Sequence, residues 1–179
     1  MRIIAFVLTF VINIYCCAQT PAPAAAKPLL GAFGVKFNTI WQPRESQDNS
    51  QLQDGETMYA FTPKPGLSGF SDYYVMITPI THKVYSIWAC AEVPRANGLN
   101  FYEQVVALYE KKYGKGKSDL SIGSRTTFFY PAGSSILIKY SSDHKAASID
   151  IRYYNRENEE LAKKERIEKA NSGVNTEGI

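Results

Sequence analysis

The sequence predicts an α+β domain: an antiparallel β-sheet with an amphipathic helix packed across one face. Three observations predict it. Tyr73 to Ala91 is the most apolar stretch of the chain beyond its N-terminal region and reads as two strands about a short turn. From Asn100 to Tyr113 the apolar residues change to helical spacing, and the pattern closes on Gly114. Arg125–Tyr130, Ser135–Tyr140 and Ala147–Tyr154 then return to strand composition, separated by turn residues.

At the N-terminus, Arg2 precedes an apolar run from Ile3 to Tyr15, broken at Asn13, and Cys16-Cys17-Ala18 follows. This is the layout of a secretory signal peptide cut after Ala18. The run is shorter than the ~20 residues a membrane span needs. Lipidation at Cys17 is the alternative; Ile14 fits its pattern, whereas the bulk of Tyr15 does not. Either route predicts an exported protein, periplasmic or extracellular, whose mature domain does not span the membrane. Gln19 to Pro28 is a Pro/Ala-rich spacer, extended and semi-flexible. The reading divides the chain into a signal peptide (1–18), the spacer (19–28), a globular domain (29–155) and a charged C-terminal helix with a disordered tail (156–179).

Within the domain, Phe33, Val35 and Phe37 alternate on one short strand entered at Gly31. The Gly31–Gly34 spacing lacks the Lys-Ser/Thr of a phosphate-binding loop. Gln42 to Glu56 is polar and predicts a solvated loop; Thr57–Thr62 predicts a strand. In the first arm of the hairpin, Tyr73, Val75 and Ile77 share a face, with Tyr74 and Met76 opposite. In the second arm Tyr85, Ile87 and Ala89 alternate with Val84, Ser86, Trp88 and Cys90. Asn100 with Glu103 has the form of a capping box. Phe101, Val105, Leu108 and Lys112 form one helical line beside Tyr102, Tyr109 and Tyr113, and Gly114 stands at the left-handed stop position. In the segment Ala147–Tyr154, Ile149, Ile151 and Tyr153 alternate with Ser148, Asp150 and Arg152, one dry face and one wet. Arg156–Ala170 is helical by propensity, with Glu159/Lys163, Glu160/Lys164 and Glu165/Lys169 at i,i+4. Its Leu161 and Ile167 do not share a face, so it predicts a weakly packed, solvated helix. The order strand-strand-strand-helix thus occurs twice, a possible βββα-βββα pseudo-repeat.

Composition narrows the function classes. The chain of 179 residues carries a net charge of +3, which together with export argues against nucleic acid as a partner. Of three cysteines, Cys90 alone lies beyond the signal region, so no internal disulfide is available to the domain. A Cys90 nucleophile with His82 or His144 as base would make a small hydrolase or thiol enzyme, but Cys90 sits between two alanines on an apolar strand, a structural setting. Ser142-Asp143-His144 holds triad residue types too close together to form a triad and reads as a turn. Two histidines with no ligand spacing predict no metal, and no cofactor motif is present. Lys111, Lys112 and Lys115 cluster at the helix end, where cations balance the dipole or meet an anionic surface. Tyrosine is abundant, at 12 residues, and Tyr73, Tyr85, Tyr140 and Tyr154 on strands are the candidate binding residues.

Phe33-Gly34-Val35-Lys36-Phe37, the Tyr73-to-Trp88 hairpin and the helix ending in Tyr113-Gly114 resemble small exported bacterial proteins of uncharacterised function. The resemblance spans most of Leu29–Tyr154 and implies a bacterial envelope setting, with no catalytic residues to assign. The expectation is a non-enzymatic exported domain that binds an envelope protein, peptide or glycan, of open oligomeric state. The alternatives are the Cys90/His144 enzyme and a structural lipoprotein anchored at Cys17.

Overall fold

The computed structural model describes residues 28–43, 49–51 and 57–172. The segments read as a signal peptide, as the spacer up to residue 27 and as the tail beyond residue 172 lie outside the described residues. Along the chain the elements are β1 (Gly31–Ala32), β2 (Val35–Lys36), β3 (Asn49–Gln51), β4 (Thr57–Ala60), β5 (Asp72–Ile77), β6 (Val84–Pro94), α1 (Arg95–Tyr113), β7 (Lys117–Ser121), β8 (Ser124–Phe129), β9 (Ser134–Ser142), β10 (Ala146–Asn155) and α2 (Arg156–Ser172). β1 and β2 pair with each other; the other eight strands form an antiparallel sheet ordered β3-β4-β5-β6-β10-β9-β8-β7. The fold is α+β, as the residue patterns predict.

The two three-strand blocks, β4-β5-β6 and β8-β9-β10, meet at the long central pair β6/β10, and each is followed by a helix. Odd-numbered residues of both central strands (Ile87, Ala89, Ala91; Ile149, Ile151, Tyr153) point to one face and are almost fully buried there. With Val75, Ile136, Ile138 and Phe129 they form the main core beneath α1. Burying each such aliphatic side chain contributes about 1.5–3 kcal/mol, and this layer dominates the stability. α1 leaves β6 after an even position, Pro94, and α2 leaves β10 after an odd one, Asn155. In both strands odd and even positions face opposite sides, so the two junctions differ in parity, and the helices lie on opposite faces of the sheet.

α1 begins five residues earlier than its capping-box pattern suggests, directly from Pro94, with no side-chain cap. Asn100 lies inside the helix and accepts a bond from Gln104, and Glu103 reaches across to Arg125 at 3.3 Å. The seam against the sheet runs through Gly98, Tyr102 and Val105, with Tyr109 following at the same spacing; Leu108, expected on the seam, is 61% exposed. Gly98 is required in this seam, because a Cβ there would fall 2.3 Å from the Ala147 Cβ. Gly114 ends the helix at φ 82°, and its N–H donates to the Glu110 carbonyl.

Other local readings are corrected. The expected strand at Phe33–Phe37 is a tight hairpin, because Phe33 (φ 53°) and Gly34 (φ 86°) both take the left-handed conformation of a type I′ turn. The loop Gln42–Glu56 contains the edge strand β3, and the hairpin strand β7, absent from the sequence reading, precedes β8. The β5/β6 register shifts between Met76 and Ile77: Met76 faces Ser86 and Ile77 faces Val84, which leaves Tyr85 as a bulge residue. Val84 therefore joins Ile87 in the α1 core, and Tyr85 turns to the opposite side.

α2 is not weakly attached. It buries Asn158, Ala162 and Glu165 at i, i+4, i+7 against the second face, where Ala162 packs with Met58, Met76 and Tyr85. The Asn155 Oδ1 accepts the Asn158 N–H as an N-cap, and Asn158 Nδ2 donates to the buried Val84 carbonyl beside the bulge, which also accepts the Asn38 N–H. Glu165, expected to pair with Lys169, instead accepts from the Ile80 N–H at 2.6 Å, the Thr81 N–H at 3.0 Å and the Thr81 hydroxyl at 2.6 Å. Burial pushes its pKa up, but these bonds to the carboxylate outweigh that and hold it below the usual glutamate value. Lys163 binds Glu159 and Glu160.

Candidate functional site

The second face of the sheet, opposite α1, is covered by α2 over Met58, Met76 and Tyr85. Further across, the face bears side chains arranged in rungs by strand register. One rung crosses from β5 to β8 as Tyr74, Trp88, Arg152, Leu137 and Phe128, each half-buried. At a spacing near 4.8 Å per strand it spans about 19 Å. The next rung is polar: Asp72, Cys90, Asp150, Lys139 and Thr126. The third is Glu92, Ser148, Ser141 and Ser124. The surface is thus an apolar and cationic stripe flanked by hydrogen-bonding rows.

The stripe is held in place by its neighbours. The Arg152 guanidinium lies 4.1 Å from the Trp88 ring centre, and the Tyr74 ring sits 5.4 Å from it on the other strand. The indole N–H of Trp88 donates to Asp150 Oδ1 at 2.9 Å. Ser148 donates to Asp150 Oδ2 at 3.4 Å, which leaves the Cys90 thiol as donor to the Ser148 hydroxyl at 3.7 Å. Asp150, 8% exposed, is the hub of this network. Burial, then the negative charge of Asp150, pushes the Cys90 thiol up to about 11, so it stays protonated at neutral pH. A thiol in that state is a poor nucleophile. His82 and His144 lie on exposed turns, and Asp143 accepts the Lys145 and Ala146 N–H groups, the turn role expected of it. Among the described residues no three metal-ligating side chains come together.

The tyrosines and lysines singled out by sequence are scattered. Tyr73, 4% exposed, is buried against Phe33 and Phe61 and clamps the loop before β5 through its hydroxyl, which accepts the Leu67 N–H and donates to the Leu67 carbonyl. Tyr85, 2% exposed, lies under α2. Both are packing residues, not open-face binding residues. Tyr140 is half-buried beside Tyr102 on the α1 side, with ring centres 6.0 Å apart. Tyr154 reaches the second face, opposite Ser86 and Ser135. Lys111, Lys112 and Lys115 are exposed at the end of α1. Trp88, Arg152, Tyr74 and Asp150, the centre of the site, were not singled out. The signal for them was the even-numbered parity of β6 and β10, the wet face of that alternation.

Concavities also lie elsewhere, two of them beside the β1–β2 hairpin. One of about 410 Å³ opens between the end of α1 and the β1–β2 hairpin, bordered by Phe33, Leu108, Lys112, Tyr113 and the hydrogen-bonded hydroxyls of Tyr109 and Tyr153. Burial raises both phenols, Tyr109 to about 12. The other, about 760 Å³, is bordered by Phe33, Ile40, Trp41, Phe61 and Lys64. No family model, curated protein or solved structure matches the chain.

Proposed function

We propose that this protein is an exported, non-enzymatic interaction domain of the bacterial envelope that holds a protein or peptide segment against the second face of its sheet. The observation that carries the reading is the Tyr74–Trp88–Arg152–Leu137–Phe128 rung. It places aromatic, aliphatic and guanidinium groups side by side across four strand spacings, half-exposed and fixed by the Asp150 network. Trp, Tyr and Arg are the residue types enriched among those that dominate interface energies. The polar rungs beside it supply donors and acceptors for a partner's backbone. The N-terminal Arg2 and the Ile3–Tyr15 run support export. Among the described residues no helix is long and apolar enough to cross a membrane.

The test is affinity capture from envelope extract, compared between the native chain and Leu137→Glu. A partner held by the native protein and lost on Leu137→Glu, while Lys112→Glu on the opposite side retains it, supports the reading. Equal capture by both Leu137 forms overturns it.

A further inference from the structure

The eight-stranded sheet ends at β7, whose five residues are all exposed and which pairs with β8 alone among the described residues. Such an edge presents a row of unpaired backbone donors and acceptors. We infer that β7 is a pairing edge for the β7 of a second copy, joining two sheets antiparallel about a two-fold axis.

The sequence of the edge decides the register. Residues facing each other across a two-fold must lie on the same side of the sheet, so the axis must pass beside a residue: Ser118, Asp119 or Leu120. On β7, Lys117 and Asp119 share the second face, opposite Phe128 and Thr126, and Ser118 and Leu120 share the α1 face, opposite Thr127 and Arg125. An axis at Asp119 sets two aspartates against each other, which is destabilising. An axis at Leu120 leaves Lys117 facing Gly123 and Asp119 facing Ser121, with neither charge paired. An axis at Ser118 sets Lys117 against Asp119 twice, once on each side of the two-fold. The same register brings Leu120, 70% exposed, opposite Gly116 of the other copy, a position without a side chain that lies beside Thr127 and Phe129. A lone edge lysine would guard against pairing; lysine and aspartate two residues apart on one face make the edge complementary to itself. The shared strand is short, and the contact falls at the small end of protein interfaces, so association is concentration-dependent.

The experiment is sedimentation equilibrium of the purified full chain from micromolar to millimolar concentration, with circular dichroism to confirm that each variant is folded. The native chain approaches twice its monomer mass at the upper end. Asp119→Lys, which opposes two lysine pairs, remains monomeric, and the double variant Lys117→Asp/Asp119→Lys regains the dimer. Ser118→Cys, with the native charges kept, forms an interchain disulfide under mild oxidation, whereas Ser121→Cys, which would face Lys115, does not. A native chain that is monomeric throughout overturns the inference, as does a dimer indifferent to Asp119→Lys or cross-linked equally well at both cysteine positions.

Discussion

At the scale of single residues, the second face is organised by one buried carboxylate. Asp150 receives the Trp88 indole and the Ser148 hydroxyl, and Ser148 in turn receives the Cys90 thiol. Burial and the neighbouring charge carry that thiol from 9.0 to about 11, which leaves about a hundredfold less thiolate at neutral pH than the reference thiol has. Cys90 should therefore react with iodoacetamide at pH 7.5 about two orders of magnitude more slowly in the native protein than in urea. Native labelling as fast as in urea would place an activated thiol on the face and favour an enzyme. The alanine neighbours of Cys90 suggest a buried thiol, whereas it is half-buried on the second face and hydrogen-bonded to Ser148. Its neighbours on the adjoining strands could not be read from sequence, because register is a property of pairing.

At the scale of elements, the two helices are docked by different physics. α1 lies close to the sheet because Gly98 has no side chain. Gly98→Ala should push the helix off Ala147 and cost about 1–3 kcal/mol, read as a lower urea midpoint with little change in slope. An unchanged midpoint would mean that the α1 seam tolerates a wider separation. α2 is fixed chiefly by polar bonds, above all the Glu165 carboxylate on the β5–β6 turn. Because its native pKa is depressed, the folded state binds fewer protons than the unfolded chain once pH falls toward the ordinary glutamate value near 4.3. The stability it contributes is present above that value and is lost as pH drops through the native one. Glu165→Gln should cost about 2 kcal/mol at pH 7, and its gap to the native protein should narrow as pH falls below about 4. A gap constant with pH would show that the charge plays no part. Apolar periodicity finds α1 but sets its seam one residue off, on Phe101, Val105 and Leu108 rather than Gly98, Tyr102, Val105 and Tyr109, and it misreads α2, whose buried line of Asn158, Ala162 and Glu165 holds one small apolar residue. A helix held by a bulge carbonyl and a turn's N–H groups leaves no hydrophobic signature. The same limit hid the bulge that turned Tyr85 over, and β7, whose exposed residues carry no alternation to detect.

At the scale of the whole molecule, a one-residue difference in parity at the two strand ends sends the helices to opposite faces. α1 closes the first face over the core, and α2 crosses β6 over the bulge on the second. The remaining part of that face bears the aromatic and guanidinium rung proposed to receive a partner. The fold class and six of the eight sheet strands among the described residues were legible as segments of strand composition. The aromatic and guanidinium rung was not, because Tyr74, Trp88, Arg152, Leu137 and Phe128 lie on five separate strands and become neighbours only through strand pairing centred on β6/β10. The most direct measurement is quantitative capture from envelope extract by three forms of the chain: native, Leu137→Glu on the second face, and Lys112→Glu at the end of α1. One partner is expected to be retained by the native and Lys112→Glu forms and reduced at least tenfold, equivalent to about 1.4 kcal/mol, by Leu137→Glu. A partner lost with Lys112→Glu and kept with Leu137→Glu would instead put the site at the α1 cleft and rule out the second face.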